Sequence, residues 1–109
     1  MGGTYIVRKY IDWEKTGWNL KMLRTDNLAL RKYVCRELNY DKGECSGDCD
    51  TCRYDMDTNI SRTELGKVFN VSDSVILNWE NGITPVSLED MLFYCQIANV
   101  KLEDIIVYS

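Results

Sequence analysis

Four cysteines are the residues whose type and spacing best suit a chemical role. Cys45, Cys49 and Cys52 lie within eight residues of one another, and Cys35 lies ten residues upstream of the first. Structural zinc is held tetrahedrally by four soft ligands of this kind, usually with a closely spaced pair in the chain. The two-residue gap between Cys49 and Cys52 supplies that pair, and Gly47 gives the loop freedom to turn. The spacing therefore predicts one structural zinc ion bound by these four cysteines.

Two other interpretations of the four thiols remain open. A set of four cysteines without histidine also suits an iron–sulfur cluster, and this chain contains no histidine. The thiols could instead be free or form a transient disulfide in a reducing compartment. The fifth cysteine, Cys95, lies on an apolar stripe of a predicted helix, where a lone cysteine behaves as a small hydrophobic side chain. We expect Cys95 to be buried and uncoordinated.

The composition limits the class of protein. A chain of 109 residues, 45% hydrophobic and 28% charged, is typical of one globular domain and too short for two with a linker. No uncharged apolar run is long enough to cross a bilayer and the N-terminus lacks a signal-peptide pattern, so we expect a cytoplasmic protein without a membrane partner. Without histidine or a nucleophile motif, and with a closed metal site that leaves no position for water, the chain is predicted not to be an enzyme. No small-molecule substrate is evident.

The charge is distributed unevenly along the chain. The net charge is −4, and residues 60–109 carry three basic and seven acidic side chains, whereas residues 1–59 carry ten of each. The segment from Lys15 to Arg36 is a positive stretch, with six basic residues and one acidic residue. Because phosphate neutralisation supplies most of the non-specific affinity for nucleic acid, the acidic second half weakens the case for such a partner.

Helix-capping residues divide the first half of the chain into predicted helices. Asp12 is expected to cap a helix that ends near Arg24, and Asn27 is expected to start a second one. In the second helix, a buried face is predicted from apolar residues that recur every four positions, namely Leu30, Val34 and Leu38. Residues 5–11 are β-branched and aromatic, which predicts a short strand or an extended arm. Residues 39–59 are too polar to be ordered by their own burial, so the zinc ion is expected to order them.

The second half of the chain has clearer helix boundaries. Ser61 and Glu64 form a capping-box pattern at the start of one helix, and Ser72 caps the next, which is expected to end at Asn81–Gly82. Ser87 caps a further helix, whose predicted buried stripe consists of Leu88, Met91, Leu92, Cys95 and Ala98. A last short helix is expected to bury Leu102, Ile105 and Ile106. Two short helices joined by a tight turn form a helix-turn-helix pattern.

The residues around that tight turn resemble a known family. Residues 60–82 read ISRTELGKVFNVSDSVILNWENG, and they are followed by Pro85, Leu88, Leu92 and the segment 100–105. This string is similar to the Cro/phage-repressor helix-turn-helix family, also called the xenobiotic response element family. The family's signature is a leucine-centred helix, a valine-serine turn and a tryptophan-glutamate-asparagine-glycine end. The resemblance covers residues 60–106, and residues 11–24 resemble the family's first helix.

The resemblance implies an all-α fold. We expect a five-helix, repressor-like helix-turn-helix domain with an inserted helix, a cysteine-rich zinc loop and a short N-terminal strand or arm. Residues 1–109 would then form a single domain, with a core of residues 11–24 and 60–107 and an insertion at residues 25–59. The apolar residues expected in the core of the motif are Leu65, Phe69, Ile76 and Trp79, and Glu80 is expected to be a structural partner.

The resemblance also implies a bacterial or phage transcriptional regulator that binds double-stranded DNA sequence-specifically. The family's phosphate contact falls on Arg62, and its contacts at either end of the recognition helix fall on Ser72 and Asn81. Its base-reading positions fall on Asp73, Ser74 and Asn78. Among them, an asparagine can pair with the edge of adenine. The insertion is expected to add three basic contacts in a fixed orientation: Arg31, Lys32 and Arg36.

Two expectations concern partners. The family commonly binds DNA as a symmetric dimer, so we expect a homodimer, with the apolar residues 5–7 and 106–108 as candidates for its surface. The acidic second half motivates an alternative, in which the chain keeps the helix-turn-helix fold as an acidic protein-interaction module and does not bind DNA.

Overall fold

A computed structural model describes residues 8–39 and 60–109, and this part of the chain is all-helical, as predicted. Its six helices are α1 (Trp13–Asp26), α2 (Leu28–Asn39), α3 (Arg62–Phe69), α4 (Asp73–Glu80), α5 (Leu88–Ala98) and α6 (Leu102–Ile105). Three of the predicted zinc ligands, Cys45, Cys49 and Cys52, lie outside the described residues. No helix in the ranges given is long and apolar enough to span a membrane.

The predicted caps form where the sequence placed them. The Asp12 carboxylate accepts a hydrogen bond from the Lys15 amide at 3.0 Å, and the Asn27 side chain accepts one from the Leu30 amide at 2.9 Å. At the start of α3, Ser61 and Glu64 each accept a hydrogen bond from the other's backbone amide, at 3.1 and 3.0 Å. These reciprocal bonds satisfy amides that have no partner within the helix.

The turn between α3 and α4 depends on a glycine. Asn70 ends α3 in the left-handed conformation at φ 60°, and the Val71 amide then donates to the Gly66 carbonyl at 2.8 Å. A Cβ atom on Gly66 would lie 2.6 Å from the Val71 carbonyl oxygen. A glycine at this position therefore allows the tight turn that sets the angle between the two helices.

Helix α1 packs directly against α4, and a second glycine makes the contact possible. A Cβ atom on Gly17 would overlap the Trp79 carbonyl oxygen and lie 2.6 Å from the Glu80 carbonyl oxygen. The same helix buries Leu20 completely. The C-terminal end of α4 is therefore held by backbone contact with α1.

An aromatic cluster centred on Phe69 joins α3, α4 and α5. The Phe69 ring lies 4.5 Å from the Tyr94 ring, 5.0 Å from the Phe93 ring and 5.6 Å from the Trp79 ring, measured between centroids. The core also includes Leu65 and the other predicted motif residues, together with two residues of the inserted helix, which are Leu30 and Val34. The inserted helix α2 packs on α3 and α5 and is part of the core.

The predicted buried stripe of α5 is wrong in part. Met91 and Ala98 are buried, but Leu88 is 65% exposed and Leu92 is 50% exposed. The face that meets the core carries Met91, Tyr94, Ile97 and Ala98. Helix α5 has apolar residues at helical spacing on both faces, so periodicity alone selects neither of them.

Cys95 lies between the two faces of α5. It packs against the core at intermediate exposure. The prediction that Cys95 is buried is therefore wrong in part. Burial raises the pKa of the Cys95 thiol above its ordinary value, and the nearby Asp104 carboxylate raises it further. The thiol is therefore held in its protonated, less reactive form.

Of the predicted N-terminal strand or arm, the structure describes residues 8–11, which form one bridge and no strand. Ile11 pairs with Tyr108 in a single antiparallel bridge. The Asp12 amide donates to the Val107 carbonyl at 2.7 Å, and the Ser109 amide donates to the Tyr10 carbonyl at 2.9 Å. Residues 106–108, named above as a candidate dimer surface, thus contact the segment before α1 in the same chain.

Candidate nucleic-acid interface

Helix α4 has one buried and one open face. Its buried face carries Ile76, Trp79 and Glu80, of which none is more than 6% exposed. The opposite face carries the predicted contact residues: Ser72, Asp73, Ser74 and Asn81 are exposed and Asn78 is half-buried. The structure therefore brings these five predicted residues onto one surface, together with Leu77, which was not predicted.

The N-terminal end of α4 is built from the predicted cap. The Ser72 hydroxyl accepts a hydrogen bond from the Val75 amide at 3.4 Å, and Asp73 follows in the first turn. A negative side chain at this position stabilises the helix through the helix dipole. The positive end of the helix dipole also favours a DNA phosphate. Asp73 and the phosphate would therefore compete for the same end of α4.

The chain that follows α4 folds back towards Asn78. The backbone amides of Ile83 and Thr84 donate to the Asn78 carbonyl, at 2.9 and 3.4 Å. The chain reverses at Gly82, which has a φ of 71°, while Asn81 keeps a right-handed conformation. No hydrogen bond from the described residues reaches the Asn78 side-chain amide, which is thus available to a ligand.

A buried ion pair network fixes the orientation of α4. The Glu80 carboxylate receives hydrogen bonds from the Arg24 Nε at 2.7 Å and from the Arg24 Nη2 at 3.1 Å. The Arg24 Nη1 also donates to the Ile60 carbonyl at 2.8 Å. Glu80 is a structural partner, as predicted. The role of Arg24 was missed, because the sequence shows it only as one cation in a basic stretch.

Arg62 joins the same carboxylate from α3. Its Nε donates to Glu80 Oε1 at 3.1 Å, while its side chain remains 36% exposed. No partner among residues 8–39 and 60–109 bonds its two terminal nitrogens. The carboxylate therefore holds the inner end of the guanidinium and leaves the outer end open to an anion.

One comparison with known proteins gives a match, and the match covers the helix-turn-helix just described. Residues 58–105 match a family model described as helix-turn-helix. The match is to a helix-turn-helix of the Cro type. No curated protein and no solved structure matches the chain. The match indicates a DNA-binding regulator in general terms.

The matched segment covers the four helices that follow the insertion. Helix α1 lies outside the match, but it supplies Arg24 to the network and Gly17 to the contact with α4. The helix-turn-helix of this chain thus depends on two residues of α1 that lie outside the matched segment.

The three predicted basic contacts on α2 lie on a different surface. Lys32 and Arg36 line a groove of about 410 Å³ against Gln96 and Ile97 of α5. Arg31, on the same helix, is at intermediate exposure. Helix α2 packs on α3 and α5, whereas α4 packs on α3 and α1. The structure therefore does not bring Lys32 and Arg36 to the open face of the helix-turn-helix.

The open face has little positive charge. Between residues 60 and 87 the sequence contains two basic residues, Arg62 and Lys67, and three acidic ones. Arg62 shares the Glu80 carboxylate with Arg24. Lys67, exposed on α3, is a second cation of this segment, and sequence reasoning missed it. Its position in the last turn of α3 was the available signal.

The zinc prediction rests on residues that the structure describes only in part. Cys35 lies on α2 at intermediate exposure, next to the buried Val34. Within residues 8–39 and 60–109, no group of three or more histidine, cysteine or acidic side chains is placed to hold a metal ion. Zinc binding therefore stays a prediction.

Proposed function

We propose that this protein is a transcriptional regulator that binds double-stranded DNA sequence-specifically through α4. The observation that carries the proposal is the open face of α4, where Ser74 and Asn78 offer polar side chains without partners among the described residues. This face is exposed on a helix that Gly17 and Glu80 hold rigidly against α1. A rigid helix with an open polar face suits insertion into a major groove.

Each residue of the proposed interface has a chemical role. Asn78 would donate to and accept from the N7 and N6 edge of an adenine, and Asp73 would accept from a cytosine amine. Ser74 can pair with either type of base. Arg62 would contact a phosphate through the terminal nitrogens that Glu80 leaves open, since phosphate contacts fix the register of the protein on the duplex.

Because the domain is acidic, a second copy of the chain would help to raise the affinity for DNA. One recognition helix with few cations has limited affinity, and a second half-site multiplies it. We therefore also propose that the chain binds as a homodimer to two half-sites. Sedimentation that shows a monomer both alone and on DNA would remove this part of the proposal.

Replacing Asn78 by alanine is expected to weaken binding to duplexes selected from a random pool by about 1–3 kcal/mol, because a bidentate contact to adenine is lost. The measurement is a titration of wild type and variant on the same selected duplex and on variants of it. Gln96→Ala, at an exposed amide on α5, is the matched control and should leave affinity unchanged.

Equal binding by wild type and Asn78→Ala contradicts the assignment of Asn78. The absence of duplex binding by wild type at low salt would instead favour the acidic protein-interaction module, because a DNA binder gains affinity as salt is lowered. Either way we propose a binding role and not a catalytic one.

We further propose that Cys35, Cys45, Cys49 and Cys52 bind one structural zinc ion. Protein purified without added metal is expected to contain about one zinc per chain by elemental analysis, and Cys49→Ser should abolish it because a closed structural site needs all four ligands. Cys95→Ala is the matched control and should retain the metal. Iron with visible absorbance would identify an iron–sulfur cluster instead, and five freely titratable thiols without metal would exclude both.

A further inference from the structure

The recognition helix contains neither arginine nor lysine. Residues 73–80 read DSVILNWE, and their open face presents Ser74, Leu77, Asn78 and then Asn81 beyond the helix end. Guanine is read most often by a bidentate arginine or lysine at its O6 and N7 atoms. Helix α4 therefore lacks the side chains that most commonly select G·C pairs.

Leu77 is an apolar residue on this otherwise polar face. It is 38% exposed, and it lies three residues after Ser74 and four before Asn81, which is the spacing of one helix face. Its backbone carbonyl accepts the Asn81 amide at 3.0 Å, so its position at the end of the helix is fixed. The Leu77 side chain is partly exposed on the same open face as Asn78, the next residue in the sequence.

Asn78 and Leu77 suit the two bases of an A·T pair. Asparagine forms two hydrogen bonds with adenine, and an apolar side chain contacts the C5-methyl group of thymine in the major groove. A contact that buries this methyl group removes apolar surface from water on both molecules. Neither contact is available from a G·C pair.

We propose that Leu77 recognises a thymine methyl group and that the base pairs contacted by Leu77 and Asn78 are A·T. This inference rests on the proposed DNA binding by α4, and it adds the class of sequence that the helix selects. It makes Leu77 a specificity-determining residue and assigns A·T pairs to the part of each half-site under the C-terminal half of α4.

The test uses duplexes selected from a random pool by the full chain, each then made with uracil in place of single thymines. Uracil keeps every hydrogen-bonding group of thymine and lacks only the C5-methyl. Wild type is expected to lose about fourfold in affinity at one position, as for one buried methylene-sized group. Leu77→Ala should bind more weakly and be insensitive to the same substitution.

Leu77→Met is the second variant, because it retains an apolar contact and should retain the sensitivity to uracil. Selection of G·C pairs at the positions affected by Asn78→Ala, or equal uracil sensitivity of wild type and Leu77→Ala, overturns the proposal while leaving DNA binding by α4 intact. If wild type binds no duplex at all, the proposed function fails and this inference fails with it.

Discussion

Arg24→Met is expected to lower the free energy of unfolding by about 3–5 kcal/mol, because it leaves the Glu80 carboxylate buried without its main partner. The Glu80 side chain has no exposed surface and that of Arg24 is 9% exposed, so water cannot replace the lost interaction. Among residues 8–39 and 60–109, three hydrogen bonds reach the carboxylate, and two of them come from Arg24. The measurement is chemical denaturation of wild type and variant.

The matched control for Arg24→Met is Arg62→Gln. Arg62 bonds the same carboxylate, but its side chain is 36% exposed, so its removal should cost far less. A larger loss from Arg62→Gln than from Arg24→Met would contradict the central role of Arg24. Arg62→Gln should also reduce the salt dependence of DNA binding by about one phosphate contact, which separates its proposed contact from its effect on stability.

Gly17→Ala is expected to destabilise the protein by about 3 kcal/mol, although alanine is favoured over glycine in an isolated helix by about 1 kcal/mol. The added methyl group would overlap the carbonyl oxygens of Trp79 and Glu80, which are backbone atoms and cannot rotate away. Helix α1 must then move off α4, which also moves Arg24 away from its partner.

Thermal and chemical denaturation of Gly17→Ala test this expectation. Glu14→Ala changes an exposed residue of the same helix and serves as the control for effects on α1 alone. A Gly17→Ala variant as stable as Glu14→Ala would show that the contact between α1 and α4 is looser than the structure has it.

Local signals account for what could be predicted from the sequence. The caps at Ser61 and Ser72 depend on side chains within three residues, so the start of each motif helix is readable from the chain itself. The open face of α4 then follows from the buried positions of Ile76 and Trp79. The choice of contact residues on this face came from the family resemblance, and their contact with DNA stays a prediction.

Long-range contacts account for what could not. Arg24 and Glu80 are 56 residues apart, and nothing near either residue indicates that they meet. On α5, both faces are apolar, and the packing of α2 and α3 decides that Tyr94 is buried and Leu92 is not. Tyr94 even has a buried hydroxyl with no partner among the described residues, and burial raises its pKa well above the ordinary value.

The hydrogen bond from Arg24 to the Ile60 carbonyl has a consequence for how this fold acquires extra sequence. It spans 2.8 Å between the last residue before the insertion and the first residue after it, so the two ends of the inserted segment lie within the reach of one side chain. Lengthening such a connection costs little chain entropy, about 0.6 kcal/mol for each doubling. The burial of Leu30 and Val34 contributes about 1.5–3 kcal/mol each. The burial of these two side chains can therefore offset the entropy cost of closing the inserted segment.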